Sequence, residues 1–124
     1  MTVKARNNPS KEVALIVGGG PGISASCARL FSREGLCVAV AARNPDKPVL
    51  VDLETKHGVA RNGCDAADPA SVAALFAQVK ADIGAPHLVV HNIDGRVPDI
   101  FGKGITEADP ELALQTVKNA AFSA

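Results

Sequence analysis

Short apolar runs alternate along the chain with segments in which apolar residues recur every three or four positions. The runs are typical of buried strands, and the spaced segments are typical of helices with one buried face. A repeated order of strand, helix and strand predicts a parallel sheet, because parallel neighbours need a crossover connection. After a polar arm, residues 1–11, the predicted strands are 13–17, 36–42, 59–64 and 87–92, and the predicted helices are 22–34, 46–56 or 48–56, 69–83 and 110–124.

The helical spacing also predicts which side chains face the sheet. In the first helix, Ile23, Cys27, Leu30 and Phe31 are spaced as one buried stripe. Asp68 and Pro69 suit the start of the third helix, as a cap and a first-turn residue. The inward positions expected in the second and third helices are Val49, Leu50, Leu53, Val72, Leu75, Phe76, Val79 and Ile83.

A glycine-rich turn, Gly18-Gly19-Gly20-Pro21-Gly22, joins the first strand to the first helix. A helix N-terminus has unpaired N–H groups and a partial positive charge, and glycines let a pyrophosphate approach the backbone closely. The turn therefore predicts a nucleotide cofactor. A P-loop would need Lys-Ser or Lys-Thr after the glycines, whereas Ile23-Ser24 follows them here.

Composition narrows the class of protein. Of the 124 residues, 47% are hydrophobic and 21% are charged, which indicates one folded domain over residues 12–124. Residues 1–48 hold seven Lys or Arg against three Asp or Glu, but there is no basic run interleaved with aromatic residues. We therefore expect a phosphate-bearing small molecule and no nucleic acid. No signal pattern or membrane-length apolar stretch is present, so we expect a cytoplasmic protein without a membrane partner.

Cysteine and histidine give no sign of a metal site. Cys27, Cys37 and Cys64 fall inside predicted elements without a Cys-x-x-Cys spacing, which is typical of small core residues. His87 and His91 share one face of a predicted strand, but four residues of strand separate them by roughly 13 Å. That distance is too long for two ligands of one ion, and we expect no metal.

Four segments, 14–24, 41–44, 64–65 and 89–92, occur in the order and spacing of the short-chain dehydrogenase/reductase family. The chain resembles the N-terminal, cofactor-binding half of such a protein. The resemblance implies an α/β fold of the Rossmann type, with three layers and a parallel sheet of order 3-2-1-4 that is truncated after about four strands. It also implies an NAD(P)-dependent oxidoreductase that binds its dinucleotide at the glycine turn.

The resemblance assigns cofactor contacts residue by residue. Arg43 follows the second strand, where an NAD-preferring site has a neighbouring acidic residue, and Ala42 stands in that place. We therefore expect NADP(H) to be preferred over NAD(H), with a solvated surface arginine as the alternative. Asp65 matches the residue that meets the adenine amino group, although it could equally cap a turn. The cofactor-binding residues implied are Gly18, Gly20, Gly22, Ile23, Ser24, Arg43, Asn44, Asp65 and Asn92.

The chain departs from the family pattern at Ser24 and after the fourth strand. Ser24 replaces the third glycine, and its hydroxyl could donate to a phosphate. The family has Asn-Asn-Ala-Gly after the fourth strand, whereas this chain has His91 to Asp94, in which only Asn92 is retained. We expect Ile93 and Asp94 to crowd or repel the nicotinamide half, with Gly95 restoring the turn one position later.

Asn119 falls where the family has an asparagine linked to a water chain near the active site, which implies a supporting catalytic role. A solvated position on a helix face is an equal alternative.

Catalysis in the family uses a tyrosine, a lysine four residues later and a preceding serine. This sequence contains no tyrosine, so we expect no turnover by the isolated chain. A non-catalytic dinucleotide-binding or sensing module is the alternative. A receiver-like domain is less favoured, because glycines stand where clustered carboxylates would be needed. With strand four at the edge of the sheet, we also expect self-association or a complementing chain.

Overall fold

The computed structural model describes residues 11–100 and 102–124. Four parallel strands form one sheet: β1 (Val13–Val17), β2 (Cys37–Ala42), β3 (Ala60–Gly63) and β4 (Leu88–His91). Their order is β3-β2-β1-β4, which confirms the predicted Rossmann-like topology. Each strand agrees with its predicted span to within one residue at either end. Apart from Lys11, the predicted polar arm lies outside the described residues.

Helices cover both faces of this sheet: α1 (Ile23–Arg33), α2 (Pro48–His57), α3 (Pro69–Asp82) and α4 (Pro110–Ala120), with a short 3-10 turn at Pro98–Ile100. All five residues of β1 are buried, and they point alternately to the two faces. Ala14 and Ile16 join a core cluster with α1 and α2, whereas Val13, Leu15 and Val17 join one with α3. The result is three layers with two apolar cores.

Capping residues fix where the helices begin and end. Asp68 accepts a hydrogen bond from the amide of Ala70 at the start of α3, as predicted. At the end of α2, Gly58 has a φ of +69°, a left-handed conformation that glycine adopts without steric penalty. Asp68 thus ends the loop that follows β3 at the carboxyl edge of the sheet, and Gly58 ends α2 at the opposite edge, before β3 begins.

The predicted buried stripe of α1 is wrong at Ile23 and Leu30. Ile23 and Leu30 are 67% and 42% exposed, whereas Ala25 and Ala28 are fully buried and Ser24 nearly so. Small residues at these positions let α1 lie close against the sheet, so the larger side chains before and after them turn outward. Cys27 and Phe31, also in the predicted stripe, are half-buried against the same core.

Two other expectations about helices need correction. Phe76 of α3 is 38% exposed rather than inward, while Leu75 and Val79 are buried as predicted. The last helix ends at Ala120 and not at residue 124, because the amide of Phe122 bonds back to Val117 and the chain turns.

The histidines and cysteines make local contacts. His87 Nδ1 accepts a hydrogen bond from the Val13 amide at 3.0 Å, and His91 Nε2 lies 3.1 Å from Ser123 Oγ. Cys64 is buried, and Cys27 and Cys37 are half-buried. Within residues 11–100 and 102–124, no three His, Cys, Asp or Glu side chains converge as metal ligands. No helix in that part of the chain has the length and apolar character needed to cross a membrane.

The packing of α1 predicts a mutational asymmetry. Ala28→Leu should destabilise the fold by about 1 to 3 kcal/mol, because the added atoms have no space between α1 and the sheet. Leu30→Ala, at an exposed position two residues away, should change stability by less than about 0.5 kcal/mol. Urea unfolding followed by circular dichroism measures both values, and a larger loss for Leu30→Ala would contradict the observed orientation of α1.

Candidate functional site

A cleft of about 540 Å³ lies at the carboxyl edge of the sheet. It sits between the ends of β1 and β4, where successive crossovers leave in opposite directions, which is where open parallel sheets bind ligands. The glycine turn, the end of β2, the residues after β3 and the residues after β4 form its walls. The predicted site residues that line it are Gly18, Gly20, Arg43, Asp65, Asn92 and Asn119.

The other predicted residues do not line this cleft. Gly22 and Ile23 stand at the start of α1, with the Ile23 side chain exposed. Asn44 follows Arg43, and its Oδ1 accepts a hydrogen bond from the Asp46 amide at 3.0 Å. Ser24 is buried behind the glycine turn. Their predicted contacts with a cofactor stay predictions.

The glycines of the turn serve two different purposes. Gly18 has a φ of +104°, and a Cβ there would overlap the backbone carbonyl of Asn92. A Cβ on Gly19 would lie 2.8 Å from side chains of Val40 and Leu50. Both positions therefore need glycine for the protein's own packing.

At Gly20 and Gly22, in contrast, an added Cβ would meet no atom within 4 Å. The space in front of these two residues is open, and a ligand can approach their backbone without meeting a side chain. Nothing in the described part of the chain itself requires glycine there.

Polar side chains hold the turn in place from behind. Ser24 Oγ donates to the Gly18 carbonyl at 2.6 Å and accepts from Asn92 Nδ2 at 3.1 Å. The amides of Gly18 and Gly19 both donate to the Ala41 carbonyl at 2.9 Å. The Ser24 hydroxyl proton is thus engaged by the protein backbone. In this structure Ser24 and Asn92 tie β1, α1 and the end of β4 together.

Two cations stand on the β2 side of the cleft. Arg43 is exposed and makes no ion pair with any residue that the structure describes. Lys47, at the start of α2, donates from Nζ to the Gly19 carbonyl at 3.1 Å. Sequence reasoning missed Lys47, although a basic residue four positions after Arg43 and directly before the Pro48 helix start was a usable signal. Together they make this wall positive.

Asp65 follows β3, the strand next to β2 in the sheet. Its Oδ1 accepts a hydrogen bond from the Ala67 amide at 3.0 Å, and its own amide donates to Ser71 Oγ at 3.0 Å. The turn-capping alternative for Asp65 is therefore present in the structure. Because Oδ2 has no donor among the described residues, that oxygen is available to a ligand in the cleft.

The segment after β4 compensates its own negative charge. Arg96 donates from Nε and from its terminal nitrogen to the two Asp94 oxygens, each at 2.8 Å. These bonds lower the pKa of the Asp94 carboxyl to about 2. The paired charge repels an approaching phosphate less than a lone carboxylate would. Ile93 packs partly against the α3 core, although it also lines the cleft.

Gly95 lets this segment approach α4. A Cβ there would lie 2.6 Å from the Ala120 amide nitrogen and 2.7 Å from Asn119 Cβ. Asn119 Nδ2 donates to the Gly95 carbonyl at 3.2 Å, and Asn119 Oδ1 accepts from Gln115 at 2.7 Å. The Asn119 side chain thus supports the loop that forms the far wall, and its supporting catalytic role stays a prediction.

Comparison with known proteins agrees with this geometry. A family model described as enoyl-(acyl carrier protein) reductase matches residues 18–124. The chain is 34% identical over 91 residues to an uncharacterised oxidoreductase of Caenorhabditis elegans, covering 68% of this chain and 28% of that protein. It is 33% identical over 88 residues to a 4-formylbenzenesulfonate dehydrogenase of Comamonas testosteroni, covering 68% of this chain and 35% of that protein.

Among solved structures, the fold is similar to that of a metagenomic short-chain oxidoreductase in complex with NADP. The TM-score is 0.74 at 23% identity, over 90% of this chain and 51% of the other. The chain thus spans about half of that protein and about a third of the curated relatives. Because the family model covers most of the sequence and the sheet order agrees, this chain belongs to the short-chain dehydrogenase/reductase family of oxidoreductases.

Proposed function

We propose that residues 12–124 form a dinucleotide-binding domain that prefers NADP(H) over NAD(H), within a protein that transfers hydride. One observation carries the proposal: open space in front of Gly20 and Gly22 lies beside an unpaired arginine at the carboxyl edge of the sheet. Family membership supports a nicotinamide dinucleotide as the ligand. The similar metagenomic oxidoreductase was solved with NADP, which is the phosphorylated form.

The glycine turn suits the pyrophosphate. The first N–H groups of α1 lack intrahelical partners and carry a partial positive charge, so an anion is favoured there. Gly20 and Gly22 leave the backbone accessible, and the hydrogen bonds from Ser24 and Asn92 keep the turn rigid. We therefore expect the turn to bind the pyrophosphate without first changing conformation, which lowers the free-energy cost of binding.

The β2 side suits a 2′-phosphate. Ala42 presents no carboxylate to the ribose hydroxyls, while Arg43 and Lys47 present two cations to the cleft. Charge-assisted hydrogen bonds from arginine to phosphate are stronger than neutral ones and suit its geometry. We propose that Asp65 Oδ2, after the neighbouring strand β3, meets the adenine amino group.

The dinucleotide supplies the hydride chemistry, and this chain's residues bind and orient it. The sequence contains no tyrosine, so no phenol here can protonate a substrate oxygen. The prediction that the isolated chain has no turnover follows from that composition. The same observation favours a second candidate function, a dinucleotide-sensing module, which binding without turnover in the whole protein would indicate. A cytoplasmic location and the absence of a nucleic-acid partner stay predictions.

Arg43 should decide the cofactor preference. Arg43→Ala should raise the Kd for NADPH by at least about tenfold, since hydrogen bonds to charged groups contribute about 1.5 to 3 kcal/mol. The Kd for NADH should change by less than about twofold, because NADH carries no 2′-phosphate. Calorimetric titration measures both constants. Arg29→Ala is the matched control: it removes an exposed arginine from α1, away from the cleft, and should change neither Kd. Equal affinity of the unmodified chain for NADPH and NADH would contradict the proposal.

Gly20 and Gly18 should respond differently to an added methyl group. Gly20→Ala should change the free energy of unfolding by less than about 0.5 kcal/mol. It should raise the Kd values for NADPH and NADH by at least about tenfold, because the added Cβ enters the space proposed for the ligand. Gly18→Ala should destabilise the fold by about 2 to 3 kcal/mol, because its Cβ overlaps the Asn92 carbonyl. Thermal unfolding with and without NADPH separates the two effects, and unchanged affinity in Gly20→Ala would place the pyrophosphate elsewhere.

We also propose that the outer edge of β4 mediates association with a second copy or with a complementing chain. Leu88 and Val89 of this edge strand are 40% and 46% exposed. Sedimentation velocity of the unmodified chain should therefore show concentration-dependent association. Val89→Lys should reduce it, since a charge on an edge strand opposes pairing. Val51→Lys, the control, adds the same charge on α2 and should not reduce association. If the unmodified chain is a monomer at every concentration, the proposal is contradicted.

A further inference from the structure

Arg61 of β3 is a charged residue whose role the cleft does not explain. It lies on the edge strand of the sheet and is not among the residues that line the cleft. Its side chain is 24% exposed, and its Nε is buried without a hydrogen-bond partner. A partly buried arginine with an unsatisfied donor is unfavourable for folding, and an apolar residue would often serve an edge strand better.

The guanidinium of Arg61 reaches the loop between β2 and α2. One terminal nitrogen donates to the Pro45 carbonyl at 3.0 Å and to Asp46 Oδ1 at 2.9 Å. The other terminal nitrogen lies 3.1 Å from Glu54 Oε1 on α2. The planar fork thus connects the strand to both the loop and the helix, which a lysine could do only in part.

This loop, residues 43–47, carries both cations of the cleft. Lys47 fixes its far end by donating to the Gly19 carbonyl at 3.1 Å. Asn44 closes a turn within it by accepting from the Asp46 amide. Pro45 and Asp46, the two residues bonded by Arg61, lie between Arg43 and Lys47. Arg61 therefore fixes the middle of a loop whose ends face the ligand.

We infer that Arg61 is a positioning residue for NADP(H) preference: it holds the 43–47 loop so that Arg43 and Lys47 face the 2′-phosphate. The inference rests on the proposed function. Arg61 does not touch the cofactor and acts through the backbone and carboxylate of its two loop partners. The effect is selective for the phosphorylated dinucleotide, because NADH has no 2′-phosphate for Arg43 to meet.

The test compares two ligand pairs that differ only in the 2′-phosphate: NADPH with NADH, and 2′,5′-ADP with 5′-AMP. In Arg61→Gln, the Kd values for NADPH and 2′,5′-ADP should rise about fivefold to tenfold, while those for NADH and 5′-AMP stay within about twofold. Arg61→Lys should recover part of the loss, because an ammonium group can still reach one carboxylate. Arg29→Gln, an exposed arginine on α1, should bind all four ligands as the unmodified chain does.

Asp46→Asn provides a second variant that leaves β3 untouched. Asp46 is exposed, so the substitution is compatible with folding, and it removes the loop's charged bond to Arg61. It should lower the NADPH preference in the same direction as Arg61→Gln, to a smaller extent.

Three results would overturn the inference. If Arg61→Gln raises the Kd values of all four ligands by the same factor, the role of Arg61 is merely structural. An unchanged ratio of NADPH to NADH affinity in both variants would show that the loop does not need Arg61. Equal affinity of the unmodified chain for NADPH and NADH would remove the proposed preference itself, and this outcome is distinguishable because it appears before any substitution is made.

Discussion

The close passage of Gly18 across the end of β4 is the constraint on which the site depends. Gly18 can adopt a positive φ and lie against the Asn92 carbonyl only because it has no side chain. Ser24 and Asn92 then fix that passage with hydrogen bonds of 2.6 and 3.1 Å. The carboxyl ends of β1 and β4 are thereby brought together, and the space left in front of Gly20 forms the floor of the cleft.

Charged residues differ between the β2 side and the β4 side of the cleft. On the β2 side, Arg43 and Lys47 face the cleft while the carboxylate of Asp46 is turned toward Arg61. On the β4 side, Asp94 is paired with Arg96, whereas Asp65 keeps one carboxylate oxygen without a donor among the described residues. This charge distribution supports the proposal that a phosphate binds on the β2 side, and the Asp94–Arg96 pair lowers the repulsion of an anion on the β4 side.

The sequence predicted the strands well because the apolar runs are short and are separated by glycine, proline and charge. It also predicted which strand ends line the cleft, since parallel strands meet at one edge. The buried face of α1 was predicted wrongly, because spacing alone favours the large apolar residues Ile23 and Leu30. The sheet instead accepts the small residues Ser24, Ala25 and Ala28, which permit a closer approach.

Two of the missed residues act through tertiary structure. Lys47 bonds to Gly19 and Arg61 bonds to Asp46, partners 28 and 15 positions away that the sequence does not identify. Arg96, in contrast, pairs with Asp94 only two residues away, and that charge pair was visible in the sequence. The role of Ser24, like those of Lys47 and Arg61, was hidden in the sequence: its position indicated the phosphate turn, and only its burial shows that its proton goes to Gly18.

We propose that the open space beside Gly20 and Arg43 is a phosphate-binding surface. A ¹H–¹⁵N NMR titration of the chain with 2′,5′-ADP tests this directly. We expect saturable shifts at the amides of Gly20, Gly22 and Arg43, with Lys80 on the outer part of α3 unaffected. Shifts confined to residues outside the cleft, or no shifts up to millimolar ligand, would contradict it.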